Sequence, residues 1–290
     1  MRSDSGGSRP IRIRILGSAA GGGLPQWNCA CANCLAVRSG RIAPQTQSSI
    51  AISADDQCWF LINASPDLAR QIESTPELQP PRKHSGLRNS PIAGVLLTNA
   101  DLDHCLGLLL MRQQATPLVV YATDKTQAAL GWMDIVLKPF RQIEWRTTAG
   151  DFQSLGKSIA YRAIELGKSV AFQLRDEISG ATALVAPAVG EIMTELREAV
   201  HGSDAVLFDG TFWNDDELRG VRPAARSARE INHLPIRDGS FDFLRHSPAP
   251  RKIYTHINNT NPIFMPGSSE RMQVEYAGIE IACDGLEVVL

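Results

Sequence analysis

The chain has 290 residues, of which 43% are hydrophobic and 21% are charged, which is the composition of a globular protein with one large domain or two ordinary ones. Its formal net charge is −2 at pH 7, so electrostatics give no support to the binding of nucleic acid or of an anionic membrane. The most apolar stretch, residues 95–111, is interrupted by Asp101, Asp103 and His104, and we therefore expect no membrane-spanning segment.

The N-terminal residues and the cysteine count bear on the cellular compartment. Residues 1–10 lack the apolar core of a signal peptide, and we expect them to be a disordered tail before a single domain over residues 11–290. Six cysteines in a chain of this length do not make a disulfide scaffold, and the clustering of three of them favours a reducing compartment. The sequence therefore predicts a cytoplasmic protein.

Alternating or apolar runs that end at turn residues predict the strands. Residues 11–16 alternate isoleucine and arginine, which is typical of a strand with one buried face. The other predicted strands are 48–53, 59–64, 92–97, 118–122, 169–175, 181–186, 205–208 and 253–255. Helical periodicity covers residues 106–114 and 191–200, and residues 279–290 are predicted to form a final hairpin. Many strands with helices between them predict one α/β domain with two packed sheets.

Three cysteines lie close together after the first predicted strand, at Cys29, Cys31 and Cys34. Thiolates are soft ligands, and a set of three completed by a fourth ligand is a common closed zinc site. A disulfide between Cys29 and Cys31 is disfavoured because cysteines separated by one residue do not easily reach disulfide geometry. We predict a structural zinc here, with a redox or reactive thiol as the alternative. The fourth ligand is not visible in the neighbouring sequence.

Side chains that bind metals follow three predicted strands at the points where the strands end. They are Asp101, Asp103 and His104 after strand 92–97, Asp209 after strand 205–208 and His256 after strand 253–255, with His233 in a loop segment. Carboxylates and imidazoles at neighbouring strand ends can converge on one ion. An isolated aspartate after a strand is commonly a turn former or helix cap, and Asp101 also fits that interpretation. Two crowded carboxylates repel each other without a cation, so the segment indicates metal binding or catalysis.

Together these segments resemble the metallo-β-lactamase superfamily and, within it, the family of pyrroloquinoline quinone (PQQ) biosynthesis protein B. The resemblance covers nearly the whole chain. It rests on GSAAGGGLPQWNCACANC, QSSIAIS, LINASPDL, LLTNADLDHCLGLLLMR, LFDGTFW, HLPI and THINNTNPI, in the family's order. It implies an αββα sandwich with metals at one edge of the two sheets, which agrees with the position of the polar side chains at strand ends.

The chain departs from the superfamily at the metal motif His-x-His-x-Asp-His, whose four positions hold Asn99, Asp101, Asp103 and His104. Both leading imidazoles are missing, which argues against a binuclear zinc hydrolase because that chemistry needs several nitrogen ligands. The remaining set of two imidazoles with carboxylates is typical of non-haem Fe(II) oxygenases. We predict an active-site Fe(II) held by Asp101, Asp103, His104, Asp209 and His256. His233 is predicted to contact substrate or metal, and the zinc site is the alternative partner of His256.

Two functions from different classes stay open. The resemblance implies an iron-dependent oxygenase that hydroxylates the tyrosine ring of the peptide-derived PQQ precursor, with Asp101, Asp103, His104 and His233 as catalytic residues. The alternative is a non-catalytic carrier that binds PQQ or its precursor and helps its transport to the periplasm. The expected partners are the precursor, other proteins of the pathway and a second copy of the chain. The electron donor, the order of hydroxylation and the oligomeric state are not given by the sequence.

Overall fold

Two β-sheets of seven strands each form the centre of the fold in the computed structural model, which describes residues 10–81, 88–113, 116–140 and 142–290. The strands are β1 (Arg12–Gly17), β2 (Ser49–Ser53), β3 (Trp59–Ile62), β4 (Ile92–Leu96), β5 (Leu118–Ala122), β6 (Ile143–Thr147), β7 (Gln153–Ser154), β8 (Ile159–Glu165), β9 (Val170–Asp176), β10 (Thr182–Ala186), β11 (Ala205–Asp209), β12 (Arg251–Thr255), β13 (Glu280–Ile281) and β14 (Glu287–Val289). The predicted tail over residues 1–10 lies outside the described residues apart from Pro10.

Short helices connect the strands. The α-helices are α1 (Ala32–Arg38), α2 (Leu68–Glu73), α3 (Leu102–Cys105), α4 (Gly107–Leu110), α5 (Asp124–Ala129), α6 (Gly131–Leu137), α7 (Thr194–His201), α8 (Phe241–Arg245) and α9 (Ser269–Tyr276). Single turns of other helix types lie at Pro76–Leu78, Met111–Gln113, Glu217–Gly220, Arg229–Ile231, Ile236–Ser240 and Pro262–Phe264. Across the described ranges, no helix is both long and apolar enough to span a membrane.

Each sheet is mixed, with an antiparallel half and a parallel half. The first sheet has the order β14-β1-β2-β3-β4-β5-β6, and its strands run parallel from β3 to β6. The second sheet has the order β13-β12-β11-β10-β9-β8-β7, and its strands run parallel from β10 to β13. The carboxyl ends of parallel strands lie at one edge of a sheet, so the loops after β4, β11 and β12 are free to carry a site there.

Three apolar clusters define four layers. The inner faces of both sheets meet in one cluster that includes Ile13, Phe60 and Phe172. The outer face of the first sheet packs against the helices that contribute, among others, Leu108 and Met133, whereas the outer face of the second sheet packs against α7, α8 and α9. Each sheet is therefore covered by helices on its outside, and the predicted αββα sandwich is confirmed.

Phe172 on β9 tests the contribution of the core between the sheets. Its side chain is fully buried, and its ring lies 6.1 Å from that of Tyr161. We expect Phe172→Ala to lower the free energy of unfolding by about 3–5 kcal/mol, because the truncated side chain leaves a cavity between two rigid sheets. Urea denaturation followed by circular dichroism measures this. Tyr276→Ala is the control, since Tyr276 is 97% exposed and its truncation should change stability by less than about 0.5 kcal/mol.

The structure corrects two predictions about local elements. The helix predicted over 106–114 begins earlier, because α3 already starts at Leu102, so Asp103 and His104 lie on a helical turn rather than in a loop. The predicted final hairpin over 279–290 is wrong: β13 pairs with β12 in the second sheet, and β14 pairs with β1 in the first. Between them Asp284 accepts hydrogen bonds from the amides of Ser18 and Thr46, which fix the crossing from one sheet to the other.

Candidate metal sites

The segments at the carboxyl ends of β4 and β12 bring a carboxylate and two imidazoles to one point. Asp103 Oδ2 lies 3.2 Å from His256 Nε2 and 3.7 Å from His104 Nε2. The two imidazole rings meet edge to face with their centroids 5.0 Å apart. The ligand atoms of these three residues all lie within 4.8 Å of one another, which is a spacing that one metal ion can bridge.

The orientation of His104 suits a metal ligand. Its Nδ1 lies 2.6 Å from Asn99 Oδ1 and 3.1 Å from Thr98 Oγ1, whereas its Nε2 is buried and has no hydrogen-bond partner among the described residues. Asn99 Nδ2 donates to Asp101 Oδ2 over 2.7 Å, and this fixes the Asn99 amide with its oxygen towards the imidazole. His104 therefore carries its proton on Nδ1 and presents the lone pair of Nε2 towards Asp103.

His256 is held in the same way by Thr211. The Thr211 hydroxyl donates to Asp209 Oδ1 over 2.6 Å and lies 2.8 Å from His256 Nδ1, so it accepts the Nδ1 proton of that ring. His256 Nε2 and Asp103 Oδ2 then face each other as two acceptors 3.2 Å apart. Two acceptors at this distance are stabilised by a cation between them. The donor set and the unpartnered Nε2 of His104 both fit a bound metal.

A second group shares His256. Asp209 Oδ2 lies 2.7 Å from His233 Nδ1, and the rings of His233 and His256 stack with their centroids 5.4 Å apart and their planes 17° from parallel. The ligand atoms of Asp209, His233 and His256 again lie within 4.8 Å of one another. The site is thus a row of three imidazoles, in which Asp103 faces His104 and His256 and Asp209 contacts His233.

Burial and charge act against each other on these groups. Burial lowers the pKa of His104 to about 4, so the ring is neutral near pH 7 and able to bind a metal. Burial also acts to lower the pKa of His233, but the charge of Asp209 and the hydrogen bond to it outweigh burial and raise that pKa above its ordinary value. For Asp103 and Asp209, burial acts to raise the pKa, and the neighbouring imidazoles reverse this and lower it.

The glycine-rich loop after β1, residues 18–23, packs directly against this site. A Cβ on Gly21 would lie 3.2 Å from Asp103 Oδ2, tighter than most real contacts, so the loop passes close to the carboxylate only because this position has no side chain. His256 has a φ of +54°, in the left-handed region that non-glycine residues rarely adopt. This turn directs the chain after β12 towards the loop, where the Ala20 amide donates to the Ile257 carbonyl.

The three clustered cysteines meet the segment that follows His256. The thiols of Cys29, Cys31 and Cys34 lie within 4.8 Å of one another. Asn259 Nδ2 lies 3.2, 3.5 and 3.3 Å from their sulfur atoms, so this amide occupies the fourth corner of the group. An amide rotated by 180° presents Oδ1 at the same corner, where it can bind a metal ion. His256 lies with Asp103 and His104 instead.

The comparisons with known proteins place the chain in a family. Residues 58–257 match the model of the β-lactamase superfamily domain. Coenzyme PQQ synthesis protein B of Cupriavidus taiwanensis is 38% identical over 305 residues, which cover 96% of this chain and 99% of the relative. The same protein of Methylobacterium radiotolerans is 38% identical over 303 residues, covering 97% of this chain and 100% of the relative. The chain belongs to the coenzyme PQQ synthesis protein B family.

Solved structures agree with this assignment. Zn²⁺-bound PqqB from Methylobacterium extorquens is 35% identical and superposes with a TM-score of 0.87, covering 96% of this chain and 100% of that one. A diphosphatase of the PhnP family is 20% identical with a TM-score of 0.70, covering 96% and 97%, and shares the fold. The relative from Methylobacterium extorquens thus binds zinc, and this member of the coenzyme PQQ synthesis protein B family has three residue groups with metal-binding geometry in its described part.

The structure does not bring every predicted ligand of this PQQ synthesis protein B family member together. Asp101 is exposed, belongs to neither group of three, and accepts a hydrogen bond from Asn99, so its position fits a residue that orients Asn99 and through it His104. Sequence reasoning missed the roles of Asn99, Thr211 and Asn259. Each of them lies within two to three residues of a predicted ligand in the quoted motifs, and this was the only available signal.

Sequence reasoning also missed Glu217, which ties together two loops of the site. Its carboxylate accepts hydrogen bonds from the Trp213 amide and the Thr260 hydroxyl. Burial raises the pKa of Glu217 to about 7, although both hydrogen bonds act to lower it. The loop after β11 and the segment that carries His256 are therefore joined through one partly buried carboxyl group.

The role of Asn99 in orienting His104 can be tested by truncation. We expect Asn99→Ala to weaken metal binding at the Asp103–His104–His256 group by about 10- to 100-fold, because the imidazole loses the acceptor that fixes its tautomer. Competition for Co²⁺ against a fluorescent indicator measures the affinity. Gln57→Ala removes an exposed amide elsewhere and should leave the affinity unchanged. Equal affinities for wild type and Asn99→Ala would contradict the orienting role.

Proposed function

We propose that the protein takes part in the biosynthesis of PQQ, as an iron-dependent oxygenase that hydroxylates the tyrosine ring of a peptide-derived precursor. The observation that carries the proposal is the convergence of His104 Nε2, His256 Nε2 and Asp103 Oδ2. Two imidazoles and one carboxylate with open positions are the ligand set of non-haem Fe(II) oxygenases. The names of the curated relatives supply the pathway.

A bound Fe(II) would supply O₂ activation next to the ring, and the chain's own side chains would hold the ion and move protons. The reaction consumes one ring C–H, one O₂, two electrons and two protons, and gives one ring C–OH and one water. The electrons come from an external small-molecule reductant of the ascorbate class. Asp103, His104 and His256 hold the metal, and Asn99 and Thr211 hold the two imidazoles in the required tautomer.

His233 is placed to act as the base for the phenol of the substrate. Its Nδ1 proton is held by Asp209 over 2.7 Å, which leaves Nε2 to accept the proton of the phenolic O–H. The charge of Asp209 stabilises the resulting imidazolium, in the way that the aspartate of a catalytic triad does. The phenolate formed in this step is richer in electrons than the phenol, and its ring is therefore easier to hydroxylate.

The cysteine group is proposed as a structural zinc site with the side-chain oxygen of Asn259 as the fourth ligand. Cys29, Cys31 and Cys34 follow the glycine-rich loop in the chain, and Asn259 follows His256 by three residues. A zinc ion there would join the loop that covers Asp103 to the segment that carries His256. In this proposal the protein works in the cytoplasm, where the thiols stay reduced, as a homodimer with other proteins of the pathway as partners.

The oxygenase is tested with anaerobically purified protein, Fe(II), ascorbate and a tyrosine-containing precursor peptide exposed to ¹⁸O₂. The expected result is one ¹⁸O atom incorporated into the tyrosine ring per turnover, detected by mass spectrometry, and no incorporation in Asp103→Asn. Tight binding of the precursor or of PQQ without any ¹⁸O incorporation would contradict the oxygenase and support the carrier. Hydrolysis of a peptide or phosphoester bond without O₂ would contradict both.

A further inference from the structure

A cavity of about 460 Å³ opens beside His233 and Asn99, the latter being the residue that contacts His104 Nδ1. Its volume lies in the range that accommodates small molecules in proteins. The charged and polar side chains that line it are Asn99, Asp101, Lys168, Arg226, Glu230 and His233. The cavity therefore joins the proposed catalytic groups to a wall that carries charges of both signs.

The acids and the cations of this wall differ in their partners. Asp101 accepts a hydrogen bond from Asn99 over 2.7 Å, and Glu230 accepts one from the Ser227 amide over 2.7 Å. Lys168 and Arg226 are exposed and form no ion pair with any other residue in the described ranges of the chain. The amides of Asn99 and Ser227 are neutral, so the wall keeps two negative and two positive charges, and none of the four side chains forms an ion pair within the described ranges. The side chains of Lys168 and Arg226 have no hydrogen-bond partner there either, and they are therefore available to bind an anionic group of a ligand.

The two cations reach the cavity from separate parts of the chain. Lys168 lies in the tight turn between β8 and β9, next to Gly167 with its φ of +80° and between the paired backbones of Leu166 and Ser169. Arg226 lies in the long loop between β11 and α8, seven residues before His233. Because a guanidinium binds a planar carboxylate through two parallel hydrogen bonds, Arg226 adds a directional contact to the point charge of Lys168.

We propose that Lys168 and Arg226 bind a carboxylate group of the substrate and so direct its aromatic ring towards His233 and the metal. The substrate class is a small aromatic carboxylate, such as an amino acid with a phenol ring. The direction of the ring rests on the proposed function, whereas the recognition of the carboxylate rests on the unpartnered cations alone. Two partly exposed ion pairs give an expected gain in affinity of about tenfold over the same ring without the carboxylate.

The test compares two ligands that share a phenol ring, 3-(4-hydroxyphenyl)propanoate and 4-ethylphenol, in NMR titrations of full-length metal-loaded protein without O₂. We expect wild type to bind the propanoate about tenfold more tightly, and the ratio of dissociation constants to fall to about one in Lys168→Gln/Arg226→Gln. The control Lys138→Gln/Arg222→Gln removes two exposed charges that do not line the cavity, and it should keep the wild-type ratio. Circular dichroism confirms that each variant is folded.

Two results would overturn the proposal: equal affinities for the two ligands in wild type, or a ratio that survives in Lys168→Gln/Arg226→Gln. Raising the NaCl concentration from 50 to 300 mM should weaken the binding of the propanoate and leave the binding of 4-ethylphenol unchanged, since only the propanoate is bound through exposed charges. Turnover plays no part in this measurement. A protein that binds the carboxylate but fails to hydroxylate refutes the oxygenase alone, and one that hydroxylates without preferring the carboxylate refutes the carboxylate site alone.

Discussion

Asp103→Asn is expected to lose the active-site metal, whereas Asp101→Asn is expected to keep it. Asp103 Oδ2 faces both His104 and His256, and its replacement by a neutral amide removes the only negative charge of that group. Removing a group next to the ligands costs about 10- to 100-fold in metal affinity, so the loss of a charged ligand should cost more than about 100-fold. Elemental analysis after anaerobic loading with Fe(II) and desalting measures the metal bound per chain.

Asp101→Asn is a matched control because it makes the same chemical change two residues away. Asp101 is exposed and contacts Asn99 rather than the group of three. We expect this variant to hold iron close to the wild-type amount, and the zinc content of both variants to be unchanged. If Asp101→Asn lost as much iron as Asp103→Asn, Asp101 would be a ligand, and the positions of the two carboxylates would have been misinterpreted.

Cys34→Ser is expected to lose the zinc and much of the stability of the fold. Cys34 is fully buried and packs in the core of the second sheet with Leu24 and Ile257, so zinc loss would detach the glycine-rich loop from the segment after β12. Loss of a structural metal belongs to the changes that cost more than about 4 kcal/mol. For a chain of this size we expect the melting temperature to fall by about 10 °C. Differential scanning calorimetry measures the temperature, and elemental analysis measures the zinc.

Cys58→Ser controls for the removal of a thiol as such. Cys58 is a half-buried free cysteine beside the core between the sheets and lies in none of the metal-binding groups identified in the described residues. We expect it to keep its zinc and to melt within a few degrees of wild type. A Cys34→Ser protein with full zinc and an unchanged melting temperature would refute the structural zinc site. The zinc content and the melting temperature of Asn259→Ala should lie between those of Cys34→Ser and Cys58→Ser, because three thiolates remain to bind the zinc.

The sequence by itself determined the local elements that have a period or a motif. The alternation of Ile and Arg in residues 11–16 gave β1, because successive side chains of a strand point to opposite faces. The spacing of Cys29, Cys31 and Cys34 gave a group of thiols, because residues so near in sequence stay near in space. The motifs in their order gave the αββα sandwich through the resemblance to a known family, and the fold agrees with it.

Only the tertiary structure decided which of the candidate side chains meet. Asp103 and His256 are 153 residues apart and follow strands of different sheets, so their distance depends on how the two sheets pack. The partner of the cysteines, Asn259, is 225 residues away from Cys34, and its only mark in the sequence is its position three residues after His256. The separation of β13 from β14 has the same origin, since β13 pairs with the preceding strand β12 and β14 pairs with β1 near the other end of the chain. Sequence periodicity records which face of an element is buried, whereas contacts between elements are set by packing of the whole core.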